Sequence, residues 1–190
     1  MKRETKLSLL VAGIVLLAVL IDQMVKVYVK THFYLGESLE VTPWFYICFV
    51  ENNGMAFGIE WFSKLFLTLF RILVVSLLGW YTHLLIYKKV VRTGYLTTVA
   101  LIIAGAIGNI IDCVFYGKIW GYAGWMYGRV VDMLYFPLIK DAAGNCIFFQ
   151  PVFNIADSCI TCAVIIILLW FRKDLNDSLE SAKGKVHSAE

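Results

Sequence analysis

Four stretches of this chain stay apolar for about twenty residues, and the polar residues that interrupt them gather toward one end of each. The stretches cover residues 7–29, 65–87, 97–116 and 152–171. About 20 apolar residues rising ~1.5 Å each cross a hydrocarbon layer ~30 Å thick. Each stretch therefore predicts a membrane-spanning helix. None is free of polar groups. The first ends in "IDQMVKVYVK", the second holds Arg71 and His83, the third holds Asn109 and Asp112, and the fourth opens with "FNIADS". Between the first two, Leu39 to Val50 is rich in Val, Phe, Tyr, Ile and Trp, with Pro43 near its start. That composition predicts one or two short strands, closed by the turn signal "ENNG". A small sheet over 39–57 on the membrane surface fits, with Trp44, Phe45, Tyr46, Trp61 and Phe62 as an interfacial belt. Residues 117–151 show no obvious element and read as a long Gly- and aromatic-rich loop, a flap at the lipid interface. Residues 174–190 read as a disordered polar tail behind a single membrane domain, 1–173.

Composition agrees with a membrane protein. Of 190 residues, 60% are hydrophobic and only 16% charged, where soluble domains have roughly half and a quarter. So much apolar surface on a short chain cannot all enter one core. The fold class expected is a bundle of four transmembrane helices with a small extracytoplasmic sheet and a long extracytoplasmic loop. A net charge of +3, with basic residues scattered, gives no nucleic-acid footprint. Lys2, Arg3 and Lys6 before an apolar run imitate a signal peptide, but no A-x-A site follows, so the run reads as a retained helix. Those three, with Lys88, Lys89, Arg92, Arg172, Lys173, Lys183 and Lys185, fall on one side of a four-span chain. The positive-inside rule makes that side cytoplasmic, with both termini inside and 30–64 and 117–151 outside.

On this topology the polar groups share one depth. Asp22 and Lys26 end the first span, Asn109 and Asp112 the third, Arg129 and Asp132 precede the fourth, and Asn154 and Asp157 open it. One such residue is as well explained by a helix end meeting water. Several at one level, each costing about 2.5–3.5 kcal/mol at mid-bilayer, point to a site near the outer face. His32, His83 and His187 are too scattered for a zinc site, and no Ser–His or G-x-S-x-G arrangement appears. The remaining chemistry is carboxylate acid–base hydrolysis, in which two neighbouring carboxyls share a proton. It needs no metal or other cofactor. Two alternatives stand beside it. Cys159 and Cys162 form a C-x-x-C that would suit a membrane thiol oxidoreductase, or else are small packing residues. A transporter would use the same acids to bind ions, but no polar path continues to the inner ends. Cys48 and Cys146 lie in the two outer segments and could pair.

"NNGMAFG" (52–58), "GNIID" (108–112), "GRVVD" (128–132) and "FNIAD" (153–157), with "DQMVK" at the end of the first span, resemble in order and spacing the lipoprotein signal peptidases, or signal peptidase II. The resemblance runs from Leu7 to Phe171. It implies a bacterial plasma-membrane aspartyl peptidase that acts as a monomer. Such an enzyme removes signal peptides from prolipoproteins whose cysteine already carries diacylglycerol. The family's catalytic pair falls on Asp132 and Asp157, and its supporting residues on Asp22, Lys26, Asn52, Gly54, Asn109, Asp112 and Asn154. Asn52 and Asn154 are expected to hydrogen-bond the substrate backbone, and Asn154 also to orient the dyad. Two departures stand out. Cys113 occupies the place where the family carries an arginine, and the stretch from Gly117 to Gly128 is longer than the family's connection. Arg129 is the expected substitute for the missing arginine. Asp112 and Asp141 are the rival carboxylates, the first read as architectural and the second as solvated.

Overall fold

Helices form where the apolar stretches lie, and most overrun them. The computed structural model describes residues 2–53, 63–88, 91–141, 146–148 and 150–183. Helix α1 spans Arg3–His32, α2 Lys64–Lys88 and α3 Thr93–Ile111. Helix α3 widens into a π-helical turn, Asp112–Tyr116, and ends in the single turn α4, Gly117–Ile119. Helix α5 is Ile155–Trp170 and α6 is Arg172–Lys183. Helices α1 and α2 and the α3–α4 run are each long and apolar enough to cross a membrane. Helix α5 has 16 residues and meets α6 at a 90° bend, so it counts as a fourth crossing only together with it. It is shorter than the apolar stretch 152–171 because Val152–Phe153 forms a strand instead.

The strands draw on both connecting segments. β1 (Ser38–Thr42) and β2 (Phe45–Asn52) come from the first, and β3 (Val130–Tyr135) and β6 (Val152–Phe153) from the second. They form one antiparallel sheet in the order β1-β2-β3-β6, while β4 (Ile139–Lys140) and β5 (Cys146–Phe148) make a separate hairpin. Residues 117–151 are thus not a loop without elements. Asp132 interrupts the apolar alternation of β3, and the partner that makes it a strand, β2, lies about eighty residues earlier (Asn52 opposite Val130). The start of the same segment is ordered too. Gly128 donates to the Cys113 carbonyl at 2.8 Å, Met126 to Val114 at 3.0 Å and Ala123 to Gly117 at 3.0 Å.

Packing is that of a protein whose solvent is lipid. Leu16, Leu17, Met24, Leu73, Trp80, Leu168 and Leu169 are exposed along the helices. One apolar cluster, with Leu7, Leu85, Tyr95, Leu96, Val99 and Ile167, joins α1, α2, α3 and α5. A second, with Val29, Phe49, Tyr116, Val131 and Met133, seats the sheet on α1 and the π-helical turn. The disordered-tail expectation fails over 174–183. Asp174 of α6 accepts from the Arg92 backbone N–H and Nε, both at 2.9 Å. Tyr81 donates to Ser178, and Lys88 Nζ donates to the Ser181 carbonyl at 2.6 Å. A polar twelve-residue helix gains its stability from such tertiary contacts, which composition does not register.

Candidate active site

Asn154 explains how a polar stretch begins an apolar helix. It is the N-cap of α5. Its Oδ1 accepts from the Asp157 N–H at 2.9 Å, and Asp157 Oδ2 accepts from the Asn154 N–H at 3.5 Å, a reciprocal capping box. The remaining group, Nδ2, donates to Asp132 Oδ1 at 2.7 Å and to Asn109 Oδ1 at 3.1 Å. Both of its hydrogens are engaged inside the protein. Asn154 is fully buried, and its amide hydrogens point to Asp132 and Asn109.

Asn109 continues the chain of bonds. Its Oδ1 accepts from Lys26 Nζ at 2.9 Å, which turns its Nδ2 toward Asp157 Oδ1 at 2.8 Å. Asn52, the last residue of β2, donates to Asp132 Oδ2 at 3.2 Å. Asp132 and Asp157 are therefore two carboxyls joined through Asn154, each with an amide donor of its own. Asp132 is 2% exposed and Asp157 half-buried. Burial, and then the charge of Asp157, push the Asp132 carboxyl up to about 7 against the donors Asn52 and Asn154.

Beneath the pair lies a buried ionic cluster. Lys26 Nζ sits 2.9 Å from Asp22 Oδ2 and 2.8 Å from Asp112 Oδ2, and all three side chains are out of contact with solvent. Burying charges is repaid only where the remaining lone pairs also find donors. Here each carboxylate takes the backbone N–H of the residue just before Asp157 or Asp132. Asp22 Oδ1 accepts from Ala156 at 2.9 Å, and Asp112 Oδ2 from Val131 at 3.3 Å. Gln23, absent from the sequence candidates, completes the cluster. Its Nε2 donates to Asp112 Oδ1 at 2.9 Å and to the Gly108 carbonyl at 3.1 Å, and its Oε1 accepts from the Tyr116 hydroxyl at 3.1 Å. A neutral amide in an apolar span needs partners as a carboxylate does, and that was its signal.

Two glycines let the parts meet. A Cβ on Gly108 would lie 2.6 Å from Asp22 Oδ2. A Cβ on Gly128 would lie 1.9 Å from the Asp112 carbonyl oxygen, at the place where the chain returns to start β3. Gly128→Ala is expected to destabilise the detergent-solubilised protein by at least about 1–3 kcal/mol, the usual cost of overpacking. Gly124→Ala, with open space around it, is expected to melt like the parent. Equal melting of the two variants would refute the close approach.

A family model described as signal peptidase (SPase) II matches residues 14–173. The chain belongs to the signal peptidase II family. Members of this family are proteases. A lipoprotein signal peptidase of Porphyromonas gingivalis is 43% identical, covering 91% of this chain and 87% of the relative. That of Amoebophilus asiaticus is 35% identical, covering 88% and 80%. A bacterial membrane enzyme solved by the in meso method at 2.3 Å superposes with a TM-score of 0.65 at 29% identity, covering 87% of this chain and 88% of that one.

Within this family member the expected residues divide as follows. Asp22, Lys26, Asn52, Asn109, Asp112, Asp132, Asn154 and Asp157 form one connected network. Gly54 lies outside the described residues. Arg129 does not enter the network. Its side chain is 46% exposed and its Nη1 donates to Glu51 at 3.0 Å. The arginine that reaches the Cys113 position is Arg71 of α2, whose Nη1 donates to Cys113 Sγ at 3.1 Å. Asp141 is exposed. Cys162 is exposed on α5 and Cys159 half-buried, and family membership does not favour the thiol oxidoreductase.

Proposed function

We propose that this chain removes the signal peptide from diacylglyceryl-modified prolipoproteins, cutting before the lipidated cysteine with water activated between Asp132 and Asp157. The observation that carries the reading is the pairing of a buried carboxyl pushed up to about 7 with a second, more accessible carboxyl, through one shared amide. A carboxyl titrating near the working pH can both hold and release a proton. In this reading Asp132 holds the proton at rest and Asp157 is the base. Water adds to the scissile carbonyl carbon as Asp157 takes its proton, while Asp132 donates to the carbonyl oxygen. The tetrahedral adduct then breaks its C–N bond as Asp157 returns the proton to the leaving nitrogen and Asp132 regains its own. Asn109 and Asn154 keep both carboxyls aimed throughout.

The location follows from charge. Lys88 and Arg92 lie at the end of the bundle remote from the dyad, beside α6. The positive-inside rule supports reading that end as cytoplasmic and the dyad as lying near the outer face, where a signal helix ends. A soluble protease would have to draw both the signal helix and the acyl chains into water. The test is cleavage of a diacylglyceryl-modified lipobox peptide by the purified protein, beside its unlipidated twin. The lipidated peptide is expected to be cut at least about tenfold faster by kcat/KM. Equal cutting of both, or of neither, would overturn the substrate assignment.

A further inference from the structure

A second ionic cluster stands beside the dyad, and no step of the proposed chemistry uses it. Lys30, one turn beyond Lys26 on α1, pairs with Glu51. Glu51 also accepts from Arg129, the first residue before β3. Both side chains of the Lys30–Glu51 pair are only 9% exposed. Lys30 Nζ is caged by three rings, 5.2 Å from the centre of Phe49, 5.4 Å from Trp120 and 5.2 Å from Tyr122. The Arg129 guanidinium lies 5.4 Å over Tyr122, whose hydroxyl accepts the Arg129 N–H at 2.7 Å. Burial opposes ionisation of Glu51, yet Lys30 and Arg129 hold its carboxyl below the ordinary value.

An exposed ion pair fixes little, because its long side chains move and salt screens it. This one has ionic and aromatic partners on every side and is largely out of water, conditions that strengthen both interactions. It joins three elements that lie far apart in sequence: the end of α1, the end of β2, and the 117–129 segment. Successive residues of a strand face opposite ways. In β2 this turns Glu51 to the cluster and its neighbours toward the dyad. Val50 lies opposite Asp132 in register, and Asn52 donates to the Asp132 carboxyl. Asn52 is also the last residue of its strand, where fraying would first release its amide.

We propose that Glu51 is a positioning residue. Gripped by Lys30 and Arg129, it fixes the end of β2 so that Asn52 keeps its amide on Asp132 Oδ2. The proposal rests on the reading of Asp132 as one of the dyad. Among the described residues, the charged and titratable groups around Asp132 are Asp157 of α5 and Lys26 of α1. Those around Glu51, again among the described residues, are Lys30 of α1, Arg129, Tyr122 and Lys64 of α2.

Purified variants assayed on a diacylglyceryl-modified lipobox peptide from about pH 5 to 9 test it. Glu51→Gln is expected to lower kcat about tenfold with KM changed less than about twofold. An amide donor favours the ionised carboxyl, so loosening Asn52 moves the limb of the profile governed by Asp132 to higher pH, whether Asp132 acts as acid or base. Asn52→Ala is expected to give the same shift, and Glu51→Gln added to it almost no more, as for two residues acting through one contact. Lys30→Arg, which keeps the charge and the stacking, should retain the parent profile. A parent-like kcat and profile for Glu51→Gln, an effect that adds in full to Asn52→Ala, or a loss of kcat with no movement of the profile would each overturn the proposal. If Glu51→Gln does not purify as a folded protein, Arg129→Gln is read in its place, since the Lys30 pair survives there. A smaller shift in the same direction supports the proposal, and none overturns it. The dyad reading fails separately, if Asp132→Asn cleaves normally.

Discussion

Asp132→Asn is expected to abolish cleavage, by about a thousandfold or more, and at the same time to stabilise the protein in alkaline buffer. Both effects come from one carboxyl. An unfolded aspartate titrates near 3.8, and folding raises Asp132 to about 7. The folded protein therefore holds a proton that the unfolded chain has released between those two values. Stability falls as pH climbs through that window, and the penalty is complete above it. A shift of this size corresponds to about 4 kcal/mol at most. Asparagine does not ionise, so the penalty disappears. Part of the gain is offset because the new amide faces Asn52, itself a donor to that position, and one unmade hydrogen bond costs about 1–3 kcal/mol. Melting curves in detergent should thus put the variant at or below the parent near pH 4 and above it near pH 8. A variant that still cleaves removes Asp132 from the dyad, and a pH-independent difference in melting removes the explanation of its raised carboxyl.

Lys26→Met should do the greatest structural damage of any single change in the site. The methionine fits the volume but leaves Asp22 and Asp112, both buried, without their cation. Removing one partner of a buried ionic group typically costs about 3–5 kcal/mol, a large part of the roughly 5–15 kcal/mol by which a domain is stable. Function should fall further than stability. Asp22 and Asp112 hold the N–H groups of Ala156 and Val131, the residues just before Asp157 and Asp132. Lys26 also fixes the orientation of Asn109, which donates to Asp157. One substitution therefore loosens both carboxyls together. The check is a melting temperature and a cleavage rate on the same preparation, at a temperature where the variant is still folded. A folded variant with cleavage within about tenfold of the parent would contradict the claim that Lys26 ties the two halves of the site.

Much of this protein is written locally. Apolar runs of membrane length, the short β-rich segment before "ENNG" and the depth shared by the polar residues all follow from stretches of twenty residues or fewer. So does the Asn154–Asp157 cap, because residues three apart at a helix start face one another whatever lies around them. What the sequence did not disclose depends on partners far along the chain. β3 is a strand because β2 pairs with it, and α6 is a helix because Arg92, Tyr81 and Lys88 receive it. Arg71, not Arg129, reaches Cys113 because α2 happens to cross the π-helical turn there. Gln23 and Glu51 look unremarkable until α3 and the sheet close over them.

By itself, then, the sequence determined that the chain is a membrane protein with carboxylates and amides at one depth, since hydropathy and helix length depend only on neighbouring residues. The motifs pointed to Asp132 and Asp157, but which amide joins them and which ions hold that amide in place were decided only by the tertiary structure. A hydrogen bond of 2.7 Å between Asn154 and Asp132 requires α5 and β3 to be set side by side, and no local pattern contains that distance.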